Sequence, residues 1–180
     1  MVGTAILTAI VIVLQLLGSF IKFGPVSISL VLIPIVVGAA MYGPSSGAFL
    51  GFVFSIVVLL QPDTAWFYSI SYFGTVATVL LKGTLAGFLA GLVYRLLSKT
   101  SHWLAVFAAA IVCPIVNTGI FALGCWLFFW NSLPELTGDG SSAVAVLFVV
   151  LIGFNFIAEF VTNLICSPLI VRILHAVKRK

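Results

Sequence analysis

The sequence predicts an all-α membrane protein: a six-transmembrane-helix bundle with the N- and C-termini both cytoplasmic. Three observations carry that expectation. Only 7% of the 180 residues are charged and 63% are hydrophobic, where a soluble domain carries about a quarter charged; the mean hydropathy is +1.34. The apolar runs have lengths that suit a hydrocarbon core of about 30 Å, which a helix crosses in roughly 20 residues. The basic residues gather at the ends of alternate runs, as cytoplasmic loops do. With no long polar stretch, residues 1–180 read as a single integral membrane domain.

The first helix is expected over 2–21, where no charge occurs. No basic region precedes it and no convincing cleavage site follows, so it reads as a retained helix and not a signal peptide. Residues 23–62 are also uncharged. As helix they would measure about 60 Å, too long for one crossing and right for two. The break belongs at Tyr42, Gly43, Pro44 and Ser45, because proline removes a backbone donor and glycine permits a left-handed turn. Helices two and three then cover 29–42 and 45–60. After the polar, aromatic connection QPDTAWFYSISYFG, helix four covers 75–97. Helix five covers 103–130, with a kink expected at Pro114. The loop NSLPELTGDGSS leads to helix six, 143–175, which holds Pro168 near its inner end.

An even number of crossings puts Arg95, Lys99, Arg172, Lys178, Arg179 and Lys180 on one side, and Asp63, Glu135 and Asp139 on the other. The positive side is expected to be cytoplasmic, with Lys22 the one basic loop residue outside. The net charge of +4 is thus a matter of topology and not a nucleic-acid patch. Cys113, Cys125 and Cys166 lack metal or disulfide spacing and read as small packing residues.

Lipid gives apolar helices no hydrophobic reason to associate, so close packing falls to small residues. Gly83, Gly87 and Gly91 form one small stripe on helix four, and Gly47 and Gly51 another on helix three; both are expected to hold the bundle together. Ala5 and Ala9 repeat the spacing on helix one, which has little else that is polar apart from Gln15. That pair could face another protein.

The chemistry concentrates in the stretch NFIAEFVTN, residues 155–163. Asn155, Glu159 and Asn163 stand at i, i+4 and i+8, which stacks them on one helix face. Only Glu159 and Lys82 are charged well inside the expected spans. Each costs at least about 2.5–3.5 kcal/mol at the bilayer centre, so each must face protein or water. At about 1.5 Å per residue from the outer ends, Lys82 lies about 12 Å deep, Asn155 about 18 Å, Asn117 about 20 Å and Glu159 about 24 Å. Two readings stand: a buried Lys82 to Glu159 pair with amides filling its spare hydrogen bonds, or a polar pocket open to the outside. Trp66, Phe67, Tyr68, Tyr72 and Phe73 crowd the outer connection, either as an interfacial aromatic belt or as a cover over a small ligand. Phe121, Trp126, Phe128, Phe129 and Trp130 on helix five divide the same way.

Enzymatic readings fail one by one. No GxxxxGK[ST] run exists to cradle a nucleotide, no pair of intramembrane aspartates occurs, and His102 and His175 fall at helix ends, away from any mid-membrane metal site or dyad. No catalytic residue, cofactor or metal is expected.

The run FGPVSISLVLIPIVVGAAMYGPSSGAFLGFVFSIVVLL, residues 23–60, resembles the helix two, turn and helix three block of the substrate-binding S-components of energy-coupling factor (ECF) vitamin transporters. Gly43, Pro44, Gly47 and Gly51 are its most recognisable part, and AILTA places Ala5 and Ala9 on the family's AxxxA. The resemblance covers essentially the whole chain. It implies a membrane-embedded binder in a bacterial cell membrane that captures a vitamin or precursor in a pocket of helices four to six and outer loops. The expected pocket residues are Lys82, Asn117, Asn155, Glu159, Asn163, Trp66, Tyr68 and Tyr72. It also implies a transmembrane coupling subunit and two cytosolic ATPases as partners, met partly through Ala5 and Ala9, and delivery by tipping of the binder within the membrane.

A low-dielectric lysine suits a carboxylate or phosphate, and amides suit hydroxyls and amides. Pantothenate fits best on that chemistry, then riboflavin, then folate. The rival from another class is a self-sufficient secondary carrier or proton-coupled channel relaying charge through Glu159 and Lys82. Such carriers often show inverted repeats, and none is evident. A third reading is a structural subunit whose polar residues are glue.

Overall fold

A computed structural model of the chain describes residues 2–18, 22–23, 26–27, 30–137, 142–147 and 153–178; the side chains of 22–23, 26–27, 136–137, 154–155 and 174–178 lie outside that description. The long apolar runs are helical. In chain order the elements are α1 (Val2–Gly18), β1 (Lys22–Phe23), β2 (Val26–Ser27), α2 (Leu32–Tyr42), α3 (Pro44–Leu59), a 3-10 turn (Pro62–Thr64), α4 (Ala65–Ile70), α5 (Tyr72–Leu97), α6 (His102–Gly124) continued by a π-helical turn (Cys125–Phe129), α7 (Leu133–Thr137), α8 (Ala143–Ala145) and α9 (Phe154–Lys178).

Among the described residues three helical stretches are long and apolar enough to cross a membrane: Tyr72–Leu97, His102–Phe129 and Phe156–Ile173. Pro44–Leu59 and Pro62–Ile70 form a fourth if taken as one span, bent by 77°. Val2–Gly18 and Leu32–Tyr42 are apolar but shorter.

The boundaries differ from the sequence expectation where a local group decides them. α2 begins at Leu32, later than the expected 29, and at 11 residues reaches only about 17 Å. It sits inside the bundle, in contact with α1, α3, α5, α6 and α9, and Leu32, Ile35 and Val36 have no exposed surface. The break between α2 and α3 falls at Gly43, whose φ of +93° is a conformation that favours glycine. Pro44 follows at the first helical position, where its missing donor costs nothing.

The expected connection 61–74 is largely helical, and at its end Ser71 caps α5: its Oγ accepts from the Gly74 amide at 3.1 Å. α5 therefore starts at Tyr72 and not at 75. Ser101 caps α6 in the same way, accepting from the Leu104 amide. The expected loop 131–142 contains α7, and its residues 138–141 lie outside the described set. Within the expected helix six, α8 and α9 are observed, and residues 148–152 are outside the description. A two-residue antiparallel pair, Lys22 with Ser27 and Phe23 with Val26, stands where no strand was expected.

The two glycine stripes meet each other. A Cβ on Gly51 would strike the carbonyl oxygen of Gly83, and one on Gly87 the carbonyl oxygen of Gly47. With no side chains between them, α3 and α5 touch backbone to backbone, which is how membrane helices associate closely. α5 thus lies between α3 and α6, and α6 between α5 and α9. This order sets the polar faces of α5, α6 and α9 beside one another.

Candidate functional site

α6 carries Asn117 one turn after Pro114, and both are buried. α9 carries Glu159 and Asn163 one turn apart, with 2% and 1% of their surfaces exposed. The Nδ2 of Asn117 donates to the Oε2 of Glu159 at 3.2 Å. Asn163 Nδ2 donates to the backbone carbonyl of Glu159 at 2.9 Å. A backbone carbonyl only accepts, which fixes the orientation of the Asn163 amide, and an ionised Glu159 fixes that of Asn117 in the same way. Among the described residues the Oδ1 atoms of Asn117 and Asn163 are buried without a hydrogen-bond partner, as are the hydroxyls of Thr78 and Thr118.

Lys82 enters from α5. Its side chain is half-buried, and its ammonium lies 4.9 Å from the ring centroid of Phe121 and 6.0 Å from that of Phe54, within cation–π range. It is also within electrostatic reach of Glu159. Aromatic contacts continue outward from Phe121: Phe67 meets it edge-on at 5.8 Å, and Trp66 meets Phe67 edge-on at 5.0 Å. Trp66 and Phe67 pack on a small apolar cluster of Cys125, Phe129, Leu133, Val146 and Leu147.

The structure therefore joins Asn117, Glu159 and Asn163 by hydrogen bonds and sets the Lys82 ammonium on Phe121, one turn along α6 from Asn117, with Trp66 two rings away from Phe121 through Phe67. Tyr68 and Tyr72 stack on each other at 5.3 Å, the Tyr68 hydroxyl donates to the Leu59 carbonyl at 3.1 Å, and Tyr72 is 72% exposed. Among the described contacts these two tyrosines do not join the Phe67 to Lys82 series. Asn155 belongs to α9, but its side chain lies outside the described residues. Ala5 and Ala9 are exposed on α1, beside the exposed side chains of Ile6, Ile10 and Val13.

Sequence reasoning did not assign Phe54, Thr78 or Thr118 to this site, and it weighed Phe121 only as an interfacial aromatic or a cover over a ligand. Periodicity held the signal: Thr78 and Lys82 are one turn apart on α5, and Asn117 and Phe121 one turn apart on α6. A buried amide pair was also missed, with Gln15 Nε2 donating to Gln61 Oε1 at 3.0 Å and Gln61 Nε2 to the Gln15 carbonyl at 3.1 Å. It ties the end of α1 to the bend after α3.

Polar side chains converging from three apolar helices can hold a small polar molecule inside a membrane. A family model described as the substrate-specific component of an ECF transporter matches residues 1–171. The chain belongs to that family. This ECF substrate-specific component is accordingly a substrate-binding subunit of a transporter, a multi-pass membrane protein that works with a small-molecule substrate and the partners of an ECF module. The family is one of binding components and not of enzymes. Comparison with curated proteins finds no match.

Proposed function

We propose that this ECF substrate-specific component captures a vitamin or vitamin precursor from outside a bacterial plasma membrane. Pantothenate is the first candidate, riboflavin the second and folate the third. In this reading residues 1–180 form one membrane domain with six crossings and cytoplasmic termini. The pocket comprises Lys82, Asn117, Asn155, Glu159 and Asn163, with Trp66, Tyr68 and Tyr72 toward its outer rim. A transmembrane coupling subunit engages the face of α1 that bears Ala5 and Ala9. Two cytosolic ATPases then reset the binder after it tips and delivers its load.

The observation that carries the reading is the meeting of Asn117 and Glu159 across 3.2 Å, with amide oxygens of Asn117 and Asn163 left unpartnered beside them. Structural glue would satisfy such groups internally, because a buried amide oxygen without a partner costs about 1–3 kcal/mol. A guest bearing hydroxyl or amide groups satisfies them on binding. The Lys82 ammonium on the Phe121 ring supplies the positive charge that a carboxylate needs.

The test is purification in detergent followed by mass spectrometry of copurifying small molecules and by uptake in vesicles. A bound vitamin, with no transport until coupling subunit and ATPases are added, supports the proposal. Gradient-driven uptake by the chain alone would favour the secondary carrier instead.

A further inference from the structure

Two of the buried polar atoms at the site that lack a partner are amide oxygens, which can only accept. Asn117 and Asn163 have each directed their NH₂ group to an oxygen of Glu159, and each keeps a buried, unpartnered carbonyl oxygen. The two residues are 3% and 1% exposed. The unpartnered amide atoms that α6 and α9 offer are therefore acceptors, while each amide keeps a second N–H. A charged donor comes from α5, where the Lys82 ammonium rests on the Phe121 ring of α6; the unpartnered hydroxyls of Thr78 on α5 and Thr118 on α6 can serve either way.

We infer that the substrate is a bipolar molecule, with an anionic group that meets Lys82 at one end and N–H or O–H donors that meet the Asn117 and Asn163 oxygens at the other. This rests on the proposed pocket and narrows what it accepts. A dicarboxylate would set a second anion against Glu159 and two amide oxygens. An acid whose far end carries only ether or tertiary-amide groups would leave both oxygens buried and unpaired. A site that commits buried polar atoms to a substrate N–H or O–H discriminates strongly against analogues lacking it.

The experiment compares matched pairs by thermal stabilisation and competition on the purified chain. One pair is pantothenate and its analogue with both hydroxyls O-methylated and the amide N-methylated. Others are 4-hydroxybutyrate with 4-methoxybutyrate, and N-acetyl-β-alanine with its N-methyl derivative; riboflavin and folate complete the panel. The expected result is that the donor-bearing member of at least one pair binds at least about tenfold more tightly than its blocked partner. In Asn117→Ala and Asn163→Ala that ratio should fall to about threefold or less. The unsubstituted protein carries the comparison even where a variant fails to fold.

A vitamin that binds as well as its blocked analogue overturns the inference and leaves the vitamin reading standing. Simple donor-bearing acids that bind when no vitamin does have the opposite effect. Silence across the panel counts against both. Stabilisation by sodium chloride alone, absent with choline chloride, would assign the oxygens to a cation and overturn the inference too.

Discussion

Asn117 of α6 and Glu159 of α9 are joined by an amide to carboxylate hydrogen bond of 3.2 Å, between side chains that are 3% and 2% exposed. Removing the carboxylate leaves the Asn117 amide buried and without that acceptor. Glu159→Ala should weaken vitamin binding by at least about tenfold and cost about 1–3 kcal/mol of stability. Glu159→Gln keeps an acceptor and the volume, so it should fold at nearly the original melting temperature while still binding less well. Asn155→Ala should weaken binding with the bundle intact. Affinity and thermal unfolding in detergent measure both quantities, and unchanged affinity in all three variants would remove Glu159 and Asn155 from the pocket.

Lys82 separates binding from stability in the other direction. An intramembrane cation costs at least about 2.5–3.5 kcal/mol, offset in part by the Phe121 ring at 4.9 Å and by Glu159. Lys82→Met keeps the length of the stem and drops the charge. The variant should melt no lower than the parent yet bind an anionic vitamin at least about tenfold more weakly. A melting temperature lowered by several degrees with unaltered affinity would make Lys82 a structural ion and not a substrate contact.

The glycines offer a packing test with an internal control. Gly51→Ala forces a methyl group against the backbone of Gly83 and Thr84, where neither helix can yield by a side-chain rotation. Overpacking of this kind typically costs about 1–3 kcal/mol. Gly119 has nothing within 4 Å of its would-be Cβ, so Gly119→Ala should be neutral or should stabilise by up to about 1 kcal/mol through helix propensity. Melting temperatures in the opposite order would mean that α3 and α5 do not touch through these glycines.

Much of this arrangement was legible because certain residues have few structural options. Gly43 and Pro44 predicted the break, and α2 ends at Tyr42 with α3 starting at Pro44. The spacing of Glu159 and Asn163 predicted one polar face, and both are buried on α9. Other features depend on tertiary partners, which a run of apolar letters does not encode. The short α2 is read from composition as half of a long apolar stretch, and only the helices around it account for its burial. The depth estimate set Lys82 and Glu159 about 12 Å apart along the membrane normal, which says nothing about the lateral reach of a long side chain that lies on Phe121. In the aromatic connection the start of α5 turns on one serine hydroxyl, Ser71, accepting from the Gly74 amide, a local signal weaker than the apolar runs around it.

The exposed face of α1 gives the last prediction. Ala5 and Ala9 lie one turn apart with Ile6 and Ile10 beside them, all exposed, while the polar site is built by α5, α6 and α9. A helix face lined by small residues lets a second helix approach closely, so a coupling subunit docked there would be displaced by a large side chain. Both positions are exposed among the described residues, so with Ala5→Trp and Ala9→Trp the fold and substrate affinity should be unchanged. Uptake by vesicles that also contain the coupling subunit and ATPases should fall by at least about tenfold, matching a loss of at least about 1.4 kcal/mol in association. Should uptake persist in both variants while a tryptophan elsewhere on the exposed surface blocks it, the docking face lies there and α1 meets lipid.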